Sequence, residues 1–167
     1  MNLAFKPVES PEEIADVTRL AAIIWHEHYV SVISVAQIGY MLERFQSVPA
    51  ITDQIKRQGY EYFLFQLDGA SPVGYMAVKA EEGKLFLSKF YVLKDHRGKG
   101  YASRALAFLE KLCRERNLSR IWLTVNRNNT SSIAVYEKKG FRIAREQCAD
   151  IGGGFVMDDY VMEKEIV

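Results

Sequence analysis

Two closely spaced glycines, Gly98 and Gly100, separate an apolar run from an amphipathic one. The preceding residues 83–95 are rich in aromatic and branched side chains, which favour a strand. The following residues favour a helix, because their apolar side chains recur at helical spacing: Ala102, Ala105, Leu106, Leu109 and Leu112. Glycine is costly inside regular structure, so the pair requires a tight turn, a close backbone approach or an anion site.

The anion interpretation of this glycine stretch has a direct physical basis. The first N–H groups of a helix lack intrahelical partners, and the helix dipole places partial positive charge there. Arg97 and Lys99 add formal charge, so the stretch would hold a phosphate or diphosphate. The alternative is a plain strand-to-helix turn with solvated basic residues. The nucleotide-hydrolase loop G-x-x-x-x-G-K-[ST] is absent, and a dinucleotide fingerprint would need an early β-α-β unit.

The other segments predict an α+β domain. A first strand ending at Pro7 precedes a helix with Ser10 as N-cap, Pro11 in its first turn and Glu13 in a capping box. Further helical stretches cover 34–47 and, less regularly because of Pro49, 47–59. The remaining predicted elements are a hairpin over 60–68 and 72–82, the strand 83–95, a strand over 120–127, a short helix over 130–139 closed by Gly140, and a final strand pair around glycines 152–154.

Taken together, the segments predict one α+β domain over 1–167. Its sheet would be mixed, mostly antiparallel, of about six to seven strands flanked by helices.

Composition excludes several classes of protein. The net charge of +1 gives no field that would favour nucleic acid or an anionic membrane as a partner. No apolar run approaches the roughly 20 residues of a membrane span, and the N-terminal residues do not resemble a signal peptide. Cys113 and Cys148 have no metal or redox spacing, so we expect reduced structural thiols, no metal and a cytoplasmic location.

Two blocks of sequence resemble the GNAT superfamily of N-acetyltransferases. Arg97–Ala102, "RGKGYA", matches that family's [QR]-x-x-G-x-[GA] motif. Asn126–Phe141 is similar to its second block, an Asn followed by a short helix with an inward Tyr and then Gly-Phe. The blocks occur in the family's order with a strand between them. The resemblance implies the GNAT acyl-CoA acyltransferase fold and direct acetyl transfer from acetyl-CoA to an amine, without a covalent enzyme intermediate.

The resemblance also implies where acetyl-CoA would bind. Its diphosphate would lie on the N–H groups of Arg97–Ala102, and its pantetheine arm would pair with the strand backbone at Phe90, Tyr91 and Val92. A backbone N–H near Tyr91 or Val92 would then stabilise the oxyanion of the tetrahedral intermediate. The residues expected to bind acetyl-CoA are Phe90, Tyr91, Val92, Arg97, Gly98, Lys99, Gly100, Tyr101, Ala102, Asn129 and Tyr136.

Two residues of the second block each have two interpretations. Tyr136 occupies the family's position for the acid that protonates the leaving thiolate, and a tyrosine hydroxyl suits that task. It would alternatively pack beneath the short helix, since it shares helical spacing with Ile133. Asn129 would seat the pantetheine arm, cap the same helix, or do both.

Several polar residues are candidates for contact with the acceptor amine. The segment "WHEHY" places His26, Glu27 and His28 near the region where this fold admits the acceptor. We expect Glu27 as the general base and His26 close to the acceptor, although polar residues at a helix end usually form a solvated face. Asp158 and Asp159 would attract a cationic amine, or would guard an edge strand and its turn.

The sequence therefore predicts an acetyl-CoA-dependent N-acetyltransferase that acts on the primary amine of a small molecule. The late strand resembles that of small bacterial members of the family that acetylate polyamines, so a polyamine is one candidate among the small amines. The alternatives are acetylation of a protein N-terminal or lysine amine, and a non-catalytic module that binds CoA and regulates. By resemblance we also expect a homodimer.

Overall fold

The secondary structure follows the predicted order closely. The structure is a computed structural model and describes residues 2–166. Its elements are β1 (Leu3–Pro7), α1 (Pro11–Tyr29), α2 (Val35–Gln46), α3 (Val48–Arg57), β2 (Tyr60–Leu67), β3 (Gly74–Glu81), β4 (Lys84–Val92), a 3₁₀ turn (Lys94–His96), α4 (Tyr101–Glu115), β5 (Arg120–Asn126), α5 (Thr130–Lys138), β6 (Arg142–Gly152) and β7 (Phe155–Glu165). Each of the predicted strands and helices is confirmed.

The strands form a seven-stranded sheet in the order β1-β2-β3-β4-β5-β7-β6. β1 pairs with β2, β2 with β3, β5 with β7 and β6 with β7, all antiparallel. β4 and β5 pair in parallel, with Lys84–Phe86 opposite Arg120–Trp122. The predicted mixed, mostly antiparallel sheet of the α+β class is therefore confirmed.

The chain divides into two compact units. The first contains the residues up to Lys79 together with Ser88–Ala105, and the second contains Ala80–Leu87 and the residues from Leu106 onward. β4 contributes its first half to the second unit and its last half to the first. The single domain over 1–167 stays a prediction.

In the first unit, α1 begins as its sequence predicts. The Ser10 hydroxyl accepts the Glu13 N–H at 3.2 Å, and the Glu13 carboxylate accepts the N–H groups of Ser10 and Glu9, each at 2.9 Å. These backbone hydrogen bonds lower the pKa of Glu13 to about 2. The predicted apolar stripe is buried: Ile14, Val17, Leu20, Ala21 and Ile24. Pro49 lies in the first turn of α3, so it begins a separate helix, capped by Ser47.

A buried chain of hydrogen bonds crosses the first unit. Trp25 Nε1 donates to the Tyr75 hydroxyl at 3.0 Å, and Tyr75 donates to Gln46 Oε1 at 2.7 Å. Gln46 Nε2 donates to the Tyr62 hydroxyl at 2.9 Å, and Tyr62 in turn donates to Gln54. Burial raises the pKa of both tyrosines above the ordinary range. The network fixes α1, α2 and α3 against β2 and β3, because each buried polar group has a defined partner.

In the second unit, β5 shows the predicted alternation, with Ile121, Leu123 and Val125 buried. Both cysteines are free thiols. Cys113 is buried on α4, as a structural thiol should be, whereas Cys148 is exposed on β6, so the expected structural role is wrong for Cys148. β6 lies at the edge of the sheet order, where side chains of one strand have fewer neighbours.

Candidate active site

The glycine stretch is a tight turn with free space beside it. Gly98 and Gly100 adopt positive φ values of 76° and 81°, which residues with a Cβ rarely adopt. A Cβ at either position would have no heavy atom within 4 Å. The backbone torsion therefore explains the two glycines, and the space next to them is open to a ligand.

The same turn leaves backbone donors available at the start of α4. The Arg104 N–H donates to the Gly100 carbonyl at 3.2 Å, which is the first hydrogen bond of the helix. The N–H groups before it have no helix carbonyl to donate to, and the positive end of the dipole lies there. The Arg97 N–H is already used by the Lys94 carbonyl at 3.3 Å. The available donors therefore belong to Gly98–Ala102 rather than to Arg97–Ala102.

The end of β4 is fixed on two sides. Arg97 Nε donates to the Val92 carbonyl at 3.0 Å, which ties the basic loop to the strand. From β3, Gly74 approaches the Tyr91 carbonyl so closely that a Cβ would overlap with it and would lie 3.1 Å from Val92 Cα. The Leu93 N–H donates to the Val73 carbonyl at 2.8 Å. Sequence reasoning missed Gly74, because a glycine early in a strand gives no sign of which backbone it faces.

The C-terminal end of α1 packs against Tyr91. The hydroxyls of Tyr29 and Tyr91 lie 2.7 Å apart, and the Trp25 ring meets the Tyr91 ring edge-on at 5.8 Å. The His28 ring lies 6.0 Å from the Tyr91 ring and is half-buried. Burial, aided by the positive charge of Arg97, lowers the pKa of His28 below 6.5. A lowered pKa favours the neutral imidazole.

The sequence favoured two residues of α1 for the acceptor side, and both are exposed to solvent. His26 and Glu27 are both exposed, and His26 Nδ1 donates to the Ala22 carbonyl at 2.7 Å. Their roles as acceptor contact and general base stay predictions. The histidine that contacts the end of β4 is His28. Its position could have been predicted from the sequence, because it lies three residues after the buried Trp25 and residues three apart on a helix are neighbours.

A lysine that sequence reasoning did not single out lies on β4. Lys89 is half-buried, and its Nζ donates to Ser88 Oγ at 2.9 Å and lies 6.0 Å from the centre of the Trp25 ring. Burial lowers the pKa of this ammonium to about 8. A signal existed in the sequence, since Lys89 is the one charged residue in the apolar run 85–93.

The remaining predicted residues of the first unit lie around the same turn and strand. Lys99 is exposed, and Tyr101 and Ala102 are half-buried in the first turn of α4. The Phe90 ring meets the Phe65 ring edge-on at 6.0 Å, so its side chain serves packing, and its backbone is what a pantetheine arm would pair with.

In the second unit, Asn129 and Tyr136 are placed by α5. The Asn129 side chain caps the helix by accepting the Ser132 N–H at 3.3 Å, so the capping interpretation is confirmed. The half-buried Tyr136 ring meets Phe141 edge-on at 5.6 Å, which confirms a packing contact and leaves its hydroxyl chemistry a prediction.

Asp158 and Asp159 of β7 differ in their ion pairing and burial. Asp158 pairs with Arg127 Nε at 2.9 Å. Asp159 is only 2% exposed, and one of its carboxyl oxygens has no hydrogen-bond partner among the described residues. Burial, with the neighbouring charge of Asp158, raises the pKa of Asp159 to about 6. Neither carboxylate is a freely solvated attractor for a cationic amine.

No group of three or more His, Cys, Asp or Glu side chains within residues 2–166 is arranged to hold a metal ion. In the same range, no helix has the length and apolar character needed to cross a membrane.

The fold agrees with comparisons to known proteins. Residues 19–141 match the acetyltransferase (GNAT) family model, and the chain belongs to that family. An uncharacterised N-acetyltransferase of Mycobacterium bovis is 31% identical over 96 residues, which cover 57% of this chain and 61% of that protein. A probable spermine N(1)-acetyltransferase of Bacillus subtilis subsp. natto is 31% identical over 78 residues, covering 46% and 50% respectively. The matches thus span about half to three fifths of these relatives.

Solved structures show the same fold over nearly the whole chain. The PaiA N-acetyltransferase of Thermoplasma acidophilum, solved in complex with coenzyme A, has a TM-score of 0.81 at 20% identity and covers 99% of each chain. The ribosomal-protein-S18-alanine N-acetyltransferase of Escherichia coli has a TM-score of 0.72 at 16% identity, covering 99% of this chain and 94% of that one. The predicted acyl-CoA acyltransferase fold is confirmed.

Proposed function

We propose that the protein transfers the acetyl group of acetyl-CoA to the primary amine of a small molecule. The observation that carries this proposal is the glycine turn, in which Gly98 and Gly100 hold positive φ next to open space at the start of α4. A diphosphate fits this arrangement, because it needs several converging N–H donors and no side chain in its way. The family membership and the coenzyme A bound in the Thermoplasma structure support the choice of acetyl-CoA.

The chain offers three groups to the cosubstrate. The N–H groups of Gly98–Ala102 would bind the diphosphate, with Lys99 adding positive charge. The β4 backbone at Phe90–Val92 would pair with the pantetheine arm, and Gly74 and Arg97 hold that backbone in position. Following its position in the matched block, Asn129 would also contact the same arm.

The reaction requires a neutral amine. We assign His28 as the group that takes the ammonium proton, because its lowered pKa keeps it neutral and its ring lies against Tyr91. The amine nitrogen would then attack the thioester carbonyl carbon, with the oxyanion stabilised by a backbone N–H near Tyr91 or Val92. Glu27 is the alternative base.

Collapse of the intermediate breaks the carbon–sulfur bond and leaves the electron pair on sulfur. We assign Tyr136 as the acid that protonates this thiolate, following its position in the matched block. The proton that the attacking nitrogen loses on becoming an amide would restore the tyrosine hydroxyl. The edge-on contact with Phe141 holds the ring, and it leaves the hydroxyl as the group that distinguishes Tyr136 from a phenylalanine.

Among small amines, a polyamine is supported by the Bacillus relative named as a probable spermine acetyltransferase. One other acceptor class and one other function compete with the proposal. A protein N-terminus is supported by the Escherichia coli structure named for ribosomal protein S18. A non-catalytic CoA-binding module would use the same glycine turn. The module is disfavoured because Tyr136 and a neutral His28 would have no task in it.

Thiol titration tests the proposed function. The protein would be mixed with acetyl-CoA and a panel of primary amines that includes amino acids, amino acid amides, spermine and a short peptide. We expect release of free CoA thiol with at least one small amine and not with the peptide. Calorimetric binding of CoA without thiol release from any amine would establish the non-catalytic module instead.

A further inference from the structure

Lys89 is a cation in the first unit with no counter-ion among the residues that the structure describes. Burial alone lowers its pKa, and no acidic side chain among residues 2–166 contributes an attraction that would hold its proton. The groups that contact its ammonium are neutral: the Ser88 carbonyl at 3.3 Å, the Ser88 hydroxyl at 2.9 Å and the Trp25 ring at 6.0 Å. Burying an ammonium without a counter-charge is unfavourable, and an anionic ligand would supply that charge.

The hydrogen-bonding capacity of this ammonium is not filled. A protonated lysine has three N–H donors, and Ser88 accepts two of them. One donor therefore remains for a ligand. The Trp25 ring covers one side of the ammonium and keeps it in place through its π face.

The position of Lys89 places this donor beside the proposed reaction centre. Residues two apart on a strand project from the same face, so Lys89 and Tyr91 share the face that Trp25 covers. Their Cα atoms are separated by roughly 7 Å, from the rise of a strand. His28 packs against Tyr91 on that face. An acceptor whose amine meets His28 would therefore bring a group a few bonds away from its amine to Lys89.

We propose that Lys89 binds an anionic group of the acceptor, and that the acceptor is an amine that also carries a carboxylate. This inference rests on the proposed function and names the substrate class of the same site. A lysine ammonium donates a charge-assisted hydrogen bond to a carboxylate, which is about twice as strong as a neutral one. A polyamine lacks such a group, and its ammonium groups would be repelled by Lys89 where water is partly excluded.

Matched pairs of amines test the inference in the wild-type protein. Thiol release would be followed with β-alanine and γ-aminobutyrate, with the primary amide of each, and with spermine. We expect kcat/KM for each carboxylate to exceed that for its amide by at least tenfold, and spermine to be poorest. Equal or better rates with the amides or with spermine would refute the carboxylate site while leaving the acetyltransferase proposal intact.

Substitutions assign the selectivity to Lys89. In Lys89→Met, which keeps the length and apolar stem, the carboxylate-to-amide ratio should fall to about one, and Lys89→Arg should retain most of it. Lys79→Met is the control, since Lys79 Nζ also lies over an aromatic ring, that of Tyr60 at 5.4 Å. CoA affinity, measured by calorimetry, should be unchanged in all three. A wild-type ratio in Lys89→Met, or acetylation of Lys89 itself seen by mass spectrometry, would overturn the assignment.

Discussion

Gly74 and the carbonyl oxygen of Tyr91 lie so close together that no other residue type fits at position 74. A Cβ there would overlap with that oxygen and would lie 2.8 Å from Phe65 Cδ2. The backbone of β3 thereby limits where β4 can carry the peptide groups of Tyr91 and Val92, which we assign to the pantetheine arm and the oxyanion.

Gly74→Ala should destabilise the protein by about 1–3 kcal/mol, because backbone atoms must move to admit the methyl group. Gly39→Ala is the control: Gly39 lies within α2 and a Cβ there meets nothing within 4 Å, so that variant should gain up to about 1 kcal/mol. Urea unfolding measures both. Stability of Gly74→Ala equal to that of the wild type would show that β4 shifts freely.

Gly100→Ala should weaken CoA binding at least tenfold, because an L-residue resists the φ of 81° that aims the N–H groups of the turn. Gly69→Ala is matched to it, since Gly69 has a φ of 63° and open space but lies in the turn after β2. Both variants should lose similar stability, and only Gly100→Ala should lose CoA affinity in calorimetry. Arg97→Ala should also weaken binding. Unchanged affinity in Gly100→Ala would exclude the turn as the diphosphate site.

Tyr136→Phe should lower kcat by roughly hundredfold, the lower end for loss of a general acid, while CoA affinity and stability stay unchanged. The phenylalanine keeps the edge-on contact with Phe141, so packing is preserved. Tyr40→Phe removes a hydroxyl from α2 and serves as control. Parallel losses of kcat and CoA affinity in Tyr136→Phe would assign the residue to packing.

The rate should fall at acid pH as His28 becomes protonated. Because its pKa is lowered, kcat/KM should decline only below pH 6.5, and His28→Gln should reduce it by roughly hundredfold and remove that decline. His26→Gln should have little effect, since His26 is exposed. A large loss in Glu27→Gln, with His28→Gln near the wild type, would restore Glu27 as the base.

Asp159 should make stability depend on pH with the opposite sign to that of most carboxylates. Its pKa is raised from 3.8 to about 6 by burial, so the native state binds its proton more tightly than the unfolded state. Stability therefore falls as pH rises from about 4 to about 6 and is constant above that. Asp159→Asn should be more stable than the wild type at pH 7, by at most about 3 kcal/mol, and equal to it near pH 4. Asp68→Asn, at an exposed position, should show neither effect in urea unfolding.

The sequence predicted the elements well because their signals are local. The capping box of Ser10 and Glu13, the alternation in β5 and the positive-φ glycines each act within a few residues. The long-range contacts escaped prediction. The approach of Gly74 to Tyr91, the pairing of Trp25 with Tyr75 and the shielding of Lys89 depend on residues 17 to 64 positions apart, by subtraction of their numbers.

The glycine turn has a consequence for chemical synthesis. Both of its glycines are required by chirality rather than by crowding, since a Cβ would meet no neighbour. A mirror-image amino acid prefers the very torsions that its natural counterpart avoids. D-alanine introduced at position 98 or 100 by peptide ligation would therefore stiffen the unfolded chain and keep the backbone amides of the turn in place. The product should resist heat better than any genetically encoded replacement at those sites.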